Sequence, residues 1–356
     1  MAISILLRRV TIYLATKDPI LLAMKFRAAA VALALCASTF TQPANASYNG
    51  VVDYSNTRIV PIFHRSTGAE HMYSGYIYSS RIIFSAGHSE VRFKEDGTRL
   101  PFNPLPAYVG LPNSKVTKDL KRFPVIKRIL SPTIRQQFGL FGDFVIYILG
   151  EDIGDFKPVK LATIEIQKEL EAARASAEIT GYGEYKDRCD EGEKLPCSQK
   201  PNSRSLEPRK LKVEVRPYED FFTLNGYERP QLKESMLFWG GAKGTACGGD
   251  SGGSVTTTYK GEEMYLAVTP NGMNAYSCGA SDYFDGKGGM MYSSPIYDHL
   301  DILKEAEDFV TAEKAKEALA NATPVKKKST ITCVKGRTSK KVTAVSPKCP
   351  SGYKKK

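Results

Sequence analysis

Short runs of hydrophobic residues recur along the first half of the chain. Each run is rich in β-branched and aromatic residues, and Gly, Pro, Asn and Asp separate it from the next. This spacing predicts an all-β sandwich or barrel, because short apolar runs bounded by turn residues form short strands. The predicted strands are Ile59 to Phe63, Tyr73 to Tyr78, Arg81 to Ser85, Val125 to Leu130 and Phe144 to Leu149.

Helical periodicity is confined to two stretches. One is a short charged segment, Glu165 to Ala177. The other is Pro295 to Ala322, where apolar residues recur at helical spacing, and we expect this terminal helix to seal the core with one face. The composition then shifts to Lys, Thr, Ser, Val and Pro, which predicts a linker near Thr323 to Thr330 and a small basic segment with two cysteines after it.

The first 46 residues have the pattern of an export signal. Basic residues precede an apolar run from Ala28 to Ala37, and small residues precede Ser47, where we expect the mature chain to begin. Met24 is the alternative start, because the stretch before it makes the signal unusually long. A membrane span is excluded because the apolar run is shorter than the roughly 20 residues that a bilayer requires. Lipid attachment at Cys36 is disfavoured because Leu35 precedes it, where such signals have a small side chain.

The positive charge of the chain is concentrated at its ends. The net charge is +12 at pH 7, but residues 326–356 contain 11 Lys or Arg and no Asp or Glu, and residues 1–46 contain five basic residues and one acidic residue. Residues 47–325 therefore carry a net charge of −3. No nucleic-acid partner is expected for this mildly acidic body. The basic tail would attract anionic cell-envelope polymers or lipid headgroups, and the alternative is a solvated tail without a partner.

Cysteine usage is typical of an exported protein. Six of the seven cysteines follow the signal, and an even number in an exported chain predicts three disulfides among Cys189, Cys197, Cys247, Cys278, Cys333 and Cys349. Six cysteines allow 15 pairings, so the sequence does not fix the pairs. Cys189 and Cys197 bracket a charged loop that a local bridge would close. The spacings do not resemble zinc sites, and neither a metal nor a cofactor is implied.

The strongest chemical signal is the glycine-rich sequence from Cys247 to Gly253. Glycines around Ser251 let backbone N–H groups approach a reacting carbonyl, and the N–H groups of Gly249 and Ser251 would form an oxyanion hole. A serine hydroxyl is a weak nucleophile unless a base removes its proton, and that base is normally a histidine held by a third group. The alternative is a glycine-rich turn with an ordinary exposed serine.

His88 is the best candidate for the base among the four histidines. It follows a β-rich run through two small residues, Ala86 and Gly87, which places the imidazole at the end of a strand. The other three histidines are expected to be solvated or structural. His64 ends a strand without small neighbours, His71 lies in a polar loop, and His299 lies on the charged face of the terminal helix.

Asp143 is the candidate for the acid that orients the histidine. It directly precedes the most apolar strand of the mature chain, so we expect its carboxylate to be buried. A carboxylate shielded from water holds the tautomer of the imidazole and stabilises its charged form. If Asp143 stood alone, it would be interpreted as a turn aspartate before a strand.

Together these segments resemble the trypsin/chymotrypsin family of serine proteases over about Ser47 to Leu303. The order His88, Asp143, Ser251 matches the family's catalytic triad. The resemblance implies an all-β fold of two antiparallel six-stranded barrels, about residues 47–155 and 156–295, with a C-terminal helix at about 296–322. It also implies a disulfide between Cys247 and Cys278 that braces the specificity pocket. Further similarities lie in Ser79 to His88, Gly142 to Val145, Phe156 to Leu161 and Thr180 to Gly183.

The chain departs from the family pattern beside the histidine and in the substrate cleft. Ser89 and Tyr73 stand where the family has a disulfide, and Ala267 to Gly272 replaces the usual Ser-Trp-Gly strand. Thr245 stands six residues before the serine, where trypsins have an aspartate. We therefore expect no strong preference for Arg or Lys substrates, and small, apolar or aromatic side chains are expected instead.

In this family a new N-terminal amine pairs with the aspartate before the serine, which here is Asp250. We expect signal cleavage to create that amine at Ser47, and Arg58-Ile59-Val60 is the competing activation site. The resemblance thus implies a secreted, extracellular serine endopeptidase acting on protein or peptide substrates, with the cell wall as an alternative location. Its domains are a signal (1–46), a protease domain (47–322), and a linker with a basic tail (323–356). The alternative function is an inactive protease-fold adhesion or binding protein anchored by its tail.

Overall fold

The structure, a computed structural model, describes residues 50–64, 73–91, 106–136, 140–183, 205–220, 236–240, 246–269, 290–321 and 327–356. This part of the chain is mostly β, with a closed barrel, a second curved sheet and a helix towards the C-terminus. The contacts divide the chain into two compact units, Met1–Leu303 and Lys304–Lys356.

The strands follow one another along the chain as short elements. In chain order they are β1 (Val51–Val52), β2 (Ile59–Phe63), β3 (Tyr73–Ser79), β4 (Ile82–Ser85), β5 (Tyr108–Gly110), β6 (Arg122–Leu130), β7 (Arg135–Gln136), β8 (Leu140–Phe141), β9 (Val145–Leu149), β10 (Lys160–Leu161), β11 (Ser176–Gly181), β12 (Arg209–Arg216), β13 (Leu237–Gly240), β14 (Ser254–Tyr259), β15 (Glu262–Val268), β16 (Met290–Ser293), β17 (Ser329–Lys335), β18 (Thr338–Ala344) and β19 (Lys354–Lys355). All five strands predicted from the hydrophobic runs are present, and β2 has the predicted bounds.

Six strands of the first unit close into an antiparallel barrel. Their order around the barrel is β2-β3-β4-β9-β6-β5, and β5 returns to pair with β2. Inward-facing Val, Ile, Leu and Phe side chains fill it, among them Val60, Ile62, Ile77, Ile83 and Val145. Strand β9 is buried along its whole length because it lies between β4 and β6. The barrel thereby fixes the positions of two segments, the one that follows β4 and the one that precedes β9.

The second sheet of this unit has eight strands. Its order is β10-β15-β14-β11-β12-β13-β16, with β1 paired to β12. All its pairs are antiparallel except β10 with β15. The single tryptophan, Trp239, lies in its apolar core and donates from Nε1 to Ser293 Oγ at 2.8 Å. The end strands β10 and β16 do not pair with each other in the described part of the chain, where this sheet is an open half-barrel.

Two helices of the described ranges lie close to the segments predicted to be helical. Helix α1 (Ile164–Ala173) begins after Thr163, whose side chain accepts from Ile166 N. The predicted continuation to Ala177 is wrong: Arg174 takes a left-handed conformation with φ 46° and ends the helix, and Ala177 lies in β11. Helix α2 (Leu300–Asn321) follows a 3-10 turn, Ile296–His299. No helix in the described ranges is both long enough and apolar enough to cross a membrane.

The second unit contains a small antiparallel sheet of order β18-β17-β19. Cys333 on β17 forms a disulfide with Cys349, and the two Cα atoms are 5.5 Å apart. Cys333 is fully buried, whereas the residues around it are half-buried or exposed. A sheet this small has little apolar core, and the disulfide supplies the cross-link that such modules need to fold.

Candidate active site

His88 and Asp143 form a doubly hydrogen-bonded pair at the edge of the barrel. His88 lies in the 3-10 turn Gly87–Ser89 that follows β4, and Asp143 directly precedes the segment that enters β9. Asp143 Oδ1 accepts from the His88 backbone N–H at 2.7 Å, and Oδ2 accepts from the ring Nδ1 at 2.8 Å. Asp143 is fully buried, as the sequence predicted, whereas the His88 side chain keeps 15% of its surface exposed.

This pairing fixes which nitrogen of His88 can act as a base. A carboxylate can only accept, so Nδ1 carries the proton that it donates to Asp143. The lone pair of a neutral imidazole is then on Nε2, the nitrogen that does not face Asp143. The second bond, to the backbone N–H, prevents the carboxylate from rotating away. The pair therefore holds one tautomer and one orientation of the ring.

Two glycines allow the turns around this pair to pack closely. A Cβ at Gly87 would lie 2.8 Å from Ile134 Cδ1 and 3.0 Å from the Phe144 backbone N. Gly142 has φ +59°, and a Cβ there would lie 2.2 Å from Thr133 Oγ1. A side chain at either position would push the His88 and Asp143 segments apart or against their neighbours. This close approach explains why glycines stand at both positions.

Ser251 lies in a compact turn rich in positive φ values. Asp250 N donates to Cys247 O at 3.0 Å and Gly253 N donates to Asp250 O at 2.8 Å, while Gly249 and Gly252 have φ +95° and +85°. Ser251 itself is 3% exposed. Within the described part of the chain, neither the Gly249 N–H nor the Ser251 N–H donates to a protein acceptor. Two backbone donors beside the serine thus have no acceptor among the described residues.

The serine turn packs against the strands that lead to His88. Ser74 N, on β3, donates to Ser251 O at 2.8 Å. A Cβ at Gly252 would lie 2.2 Å from Ser74 O, 2.2 Å from Ser85 Oγ and 3.0 Å from Ala86 N. Ala86 is two residues before His88. The structure thus brings the Ser251 backbone against the same barrel edge from which His88 projects.

Ser74 is the central link in this packing, and sequence reasoning missed it. It is fully buried, and its Oγ donates to Gly249 O at 2.7 Å and accepts from Tyr182 N at 2.9 Å. Its carbonyl accepts from Ser85 Oγ at 2.8 Å. One side chain therefore ties β3 to the serine turn and to the end of β11. The sequence did not predict this role because serines are common in strands, and nothing in the residues next to Ser74 distinguishes it from a serine without a structural role.

Asp250 anchors the serine turn from the other side. Its carboxylate is buried and accepts from Gly183 N and Cys247 N, both at 2.8 Å. A Cβ at Gly183 would lie 2.2 Å from the Asp250 carboxyl carbon, so a glycine is needed there. Such N–H donors offset the desolvation of a buried carboxylate. The predicted partner of Asp250, the amine of Ser47, lies outside the described residues.

A second buried histidine lies behind the Asp143 segment. The His299 ring stacks on Phe144 with a centroid distance of 4.5 Å, and its Nε2 is 2.8 Å from Ser294 Oγ. Burial lowers the pKa of His299 to about 4, although nearby Asp301 and Asp143 act in the opposite direction. The prediction that His299 lies on a charged helix face is wrong. It is 1% exposed because it ends the 3-10 turn that precedes α2.

A third buried group lies beside the His88 turn and was also missed from the sequence. Glu90 Oε1 accepts from the Tyr147 hydroxyl and is 3.2 Å from His64 Nε2, while Oε2 is 3.4 Å from Arg128 Nη1. We call Glu90, His64, Arg128, Tyr147 and Ser89 the Glu90 cluster. His64 was expected to be either solvated or structural, and its contact with buried Glu90 shows that it is structural.

Several predicted site residues lie outside the described residues. These are Thr245 of the specificity pocket, His71, and the cysteines Cys189, Cys197 and Cys278. Cys247 is disulfide-bonded. Cys333 and Cys349, which the sequence left unassigned, pair with each other. No group of three or more potential metal ligands occurs in the described ranges.

Comparisons with known proteins add no family assignment. No protein-family model matches the chain, and no curated protein matches it in sequence. The functional interpretation therefore rests on the motifs of the chain itself and on the geometry around His88, Asp143 and Ser251.

Proposed function

We propose that this protein is a serine endopeptidase of the trypsin/chymotrypsin type with His88, Asp143 and Ser251 as its triad. The observation that carries the proposal is the double hydrogen bond from His88 to the fully buried Asp143 carboxylate. A buried charge costs several kcal/mol unless it is paired. The buried Asp143 carboxylate is paired with the His88 imidazole, whose Nε2 does not face Asp143. The packing of the serine turn on Ser74 and Ala86 gives further support.

The proposed mechanism assigns one role to each group. Ser251 Oγ attacks a peptide carbonyl while His88 Nε2 takes its proton, and Asp143 stabilises the imidazolium that forms. The N–H groups of Gly249 and Ser251 stabilise the oxyanion, each contributing roughly 3 to 4 kcal/mol in the transition state. His88 then returns the proton to the leaving amine. Water then attacks the acyl carbonyl while His88 Nε2 takes its proton, and the proton passes to Ser251 Oγ as the bond from this oxygen to the acyl group breaks.

The finer fold assignment belongs to this proposal. We infer that the closed six-stranded barrel corresponds to the first barrel of the family and the eight-stranded sheet to the second. The junction fits this correspondence. Strand β11 ends at Gly181, where the segment similar to the family's Gly-Trp-Gly begins, and Gly183 N at the end of this segment donates to Asp250 Oδ1. Secretion, an extracellular or cell-wall location, and a preference for small, apolar or aromatic side chains at the Thr245 pocket are parts of the same proposal.

The alternative is an inactive adhesion or binding protein with a protease fold. Such a protein needs neither an oriented histidine nor free N–H groups beside a serine. The retention of all three triad residues and the pairing of two of them favour the enzyme. The two functions differ in a single chemical property, the nucleophilicity of Ser251.

A labelling experiment separates these functions. The chain beginning at Ser47 is treated with a fluorophosphonate, which reacts only with an activated serine, alongside Ser251→Ala and His88→Ala. The exposed Ser351→Ala variant is the matched control. We expect labelling of the wild type and of Ser351→Ala only, and the same two proteins should cleave a mixed protein digest. A correctly processed wild type that neither labels nor cleaves would rule out the peptidase.

A further inference from the structure

The C-terminal sheet, residues 327–356 with strands β17, β18 and β19, carries an unbalanced positive charge. It contains ten Lys or Arg and no Asp or Glu, and all ten side chains belong to exposed residues. None of the ten forms an ion pair with a described residue. Charges of one sign placed this closely repel one another and destabilise a compact sheet. Little apolar burial offsets this repulsion, because Cys333 is the single buried residue of 327–356.

The strand register distributes the charge over both faces of this sheet. Cys333 lies opposite Lys340 on one neighbour and Lys355 on the other, so these lysines share its face. Lys341 lies opposite Thr332, and Lys354 lies opposite Val334, so this second pair of lysines shares the other face. The positive surface therefore surrounds the sheet instead of forming one flat patch.

We propose that the C-terminal sheet is a binding module for a linear phosphodiester polymer of the cell envelope. A flexible polyanion can contact both faces of a small sheet, whereas a bilayer can contact one face at a time. Val345 is the single large hydrophobic side chain of 327–356 that is exposed, at 44%, so there is little to insert into lipid. The sole aromatic ring, Tyr353, is half-buried beside Lys340 and offers no platform for stacking nucleic-acid bases. This module would retain the protein at the polymer whether or not the first unit is a peptidase.

The test measures binding of fluorescent poly(glycerol phosphate) to the full chain from Ser47, carrying Ser251→Ala to prevent self-cleavage. One variant changes four lysines of the sheet to glutamine, and a matched control removes the same charge from the first unit. We expect the sheet variant to weaken binding at least about tenfold and to flatten its dependence on salt, because fewer counterions are released. The control should bind like the parent. The sheet variant is Lys340, Lys341, Lys354 and Lys355 to Gln, and the control is Lys115, Lys121, Lys157 and Lys160 to Gln.

Other results would overturn this proposal. Equal weakening in both variants would mean that only net charge matters. Binding to phosphatidylglycerol vesicles without binding to the soluble polymer would assign the surface to a membrane. Tighter binding of single-stranded DNA with the same number of phosphates would assign it to nucleic acid. No polymer binding by the parent at low salt would leave the tail without this partner.

The Glu90 cluster supports a second, independent inference. Glu90 is two residues after His88, and Tyr147 is four residues after Asp143 on β9. The Tyr147 hydroxyl donates to Glu90 Oε1 and is 3.1 Å from Ser89 Oγ, which itself donates to Ala86 O at 2.6 Å. The Tyr147–Glu90 bond joins the segment of His88 to the segment of Asp143 without using the His88–Asp143 bond.

The cluster is well suited to hold a fixed geometry. The Glu90 and Tyr147 side chains are fully buried, and burial together with the Glu90 carboxylate keeps the pKa of Tyr147 well above its ordinary value. The phenol therefore remains a donor. Arg128 from β6 and His64 from the end of β2 approach the same carboxylate. The Tyr73 ring lies between the two histidines, with centroids 5.6 Å from His64 and 6.2 Å from His88.

We infer that Glu90 is a positioning residue that holds the His88 turn at a fixed distance and orientation relative to Asp143. This inference rests on the proposed function only for the expected change in kcat, and the geometry of the turn does not depend on it. The Tyr147–Glu90 hydrogen bond links this turn to β9, whereas the Ser89 hydroxyl donates within the turn, to Ala86 O. Loss of the Tyr147 hydroxyl would let the turn move relative to β9 and weaken the bond from His88 Nδ1 to Asp143.

The experiment compares Tyr147→Phe and Glu90→Gln with Tyr76→Phe. Tyr76 is a matched control, because its hydroxyl also donates to a carboxylate, Glu263, at 2.9 Å but on another part of the barrel. In a Ser251→Ala background, the low-field proton signal of His88 Nδ1–H is followed by NMR. We expect this signal to broaden or vanish in Tyr147→Phe and Glu90→Gln and to persist in Tyr76→Phe.

Kinetics provide the second readout for this positioning role. With Ser251 intact, Tyr147→Phe and Glu90→Gln should lower kcat about tenfold or more while KM stays within about twofold. An unchanged proton signal with unchanged kcat in both variants would refute the positioning role. If the wild type proves inactive, the NMR comparison still decides it, so the two proposals fail separately.

Discussion

At the scale of single residues, Ser74 determines how the serine turn is attached to the barrel. Its hydroxyl bridges Gly249 O and Tyr182 N in a fully buried site. Ser74→Ala would leave both backbone groups unpaired, which costs about 1–3 kcal/mol of unfolding free energy. We expect denaturant unfolding to show this loss, and kcat to fall because the Gly249 N–H is part of the proposed oxyanion hole.

The matched control for Ser74→Ala is Ser80→Ala. Ser80 Oγ contacts Phe156 at the far end of β3, and its removal should alter stability by a smaller amount without changing kcat. A Ser74→Ala protein as stable and as active as the wild type would mean that the turn is held by its own backbone bonds. Ser74 would then have no positioning role.

Asp143 offers a sharper test, because its substitution changes chemistry more than packing. In Asp143→Asn, one of the two accepting oxygens becomes an N–H₂ group. Because the His88 backbone N–H can only donate, it keeps the remaining oxygen, so the N–H₂ group would face the ring and Nδ1 could no longer keep its proton. In the proposed triad, this substitution should reduce kcat about 10⁴-fold. Fluorophosphonate labelling should slow in parallel. A loss below about tenfold would remove Asp143 from the triad.

At the scale of elements, the 3-10 turn Ile296–His299 couples stability to pH. His299 has a pKa of about 4 in the folded chain, against an ordinary value of 6.5. The unfolded chain therefore binds more protons between these values, so folding loses free energy as pH falls from 6.5 to about 4. The full loss is about 3 kcal/mol and is absent above pH 7.

The variant His299→Phe with Ser294→Ala tests this linkage. Phenylalanine keeps the stacking on Phe144, and Ser294→Ala removes the hydroxyl that would lose its partner. Denaturant unfolding of this variant should change less between pH 7 and pH 4 than unfolding of the wild type. Parallel pH profiles for both proteins would show that His299 is not the group that titrates.

The elements also show what the sequence could and could not predict. Strands such as β2 and β9 were predictable because their apolar runs are short and bounded by turns, and buried Asp143 was predictable because it adjoins β9. The end of α1 was not, because Arg174 has no property that marks it for a left-handed conformation. His299, Glu90 and Ser74 depend on contacts between segments that lie apart in sequence, and the partners of Ser74 are 11 residues away at Ser85 and 175 residues away at Gly249. Local patterns carry no information about such contacts.

At the scale of the whole molecule, the two units differ in what stabilises them. The first has extensive apolar cores, whereas the C-terminal sheet has one buried residue and a disulfide that closes a 16-residue separation. A loop of this size contributes about 3 kcal/mol by restricting the unfolded chain. That amount is comparable to the whole stability expected of so small a sheet.

Replacement of this disulfide should therefore unfold the C-terminal sheet and spare the first unit. In a chain with Cys333→Ser and Cys349→Ser, we expect the β17–β18 amides to exchange with solvent rapidly, while those of β9 remain protected. The melting temperature of the first unit and the rate of fluorophosphonate labelling should stay unchanged, because His88, Asp143 and Ser251 all lie within it. Poly(glycerol phosphate) binding should weaken, because the unfolded segment would no longer hold its ten Lys and Arg side chains close together on the two faces of a sheet. If the melting temperature of the first unit and labelling fell together with the sheet, the units would not be independent.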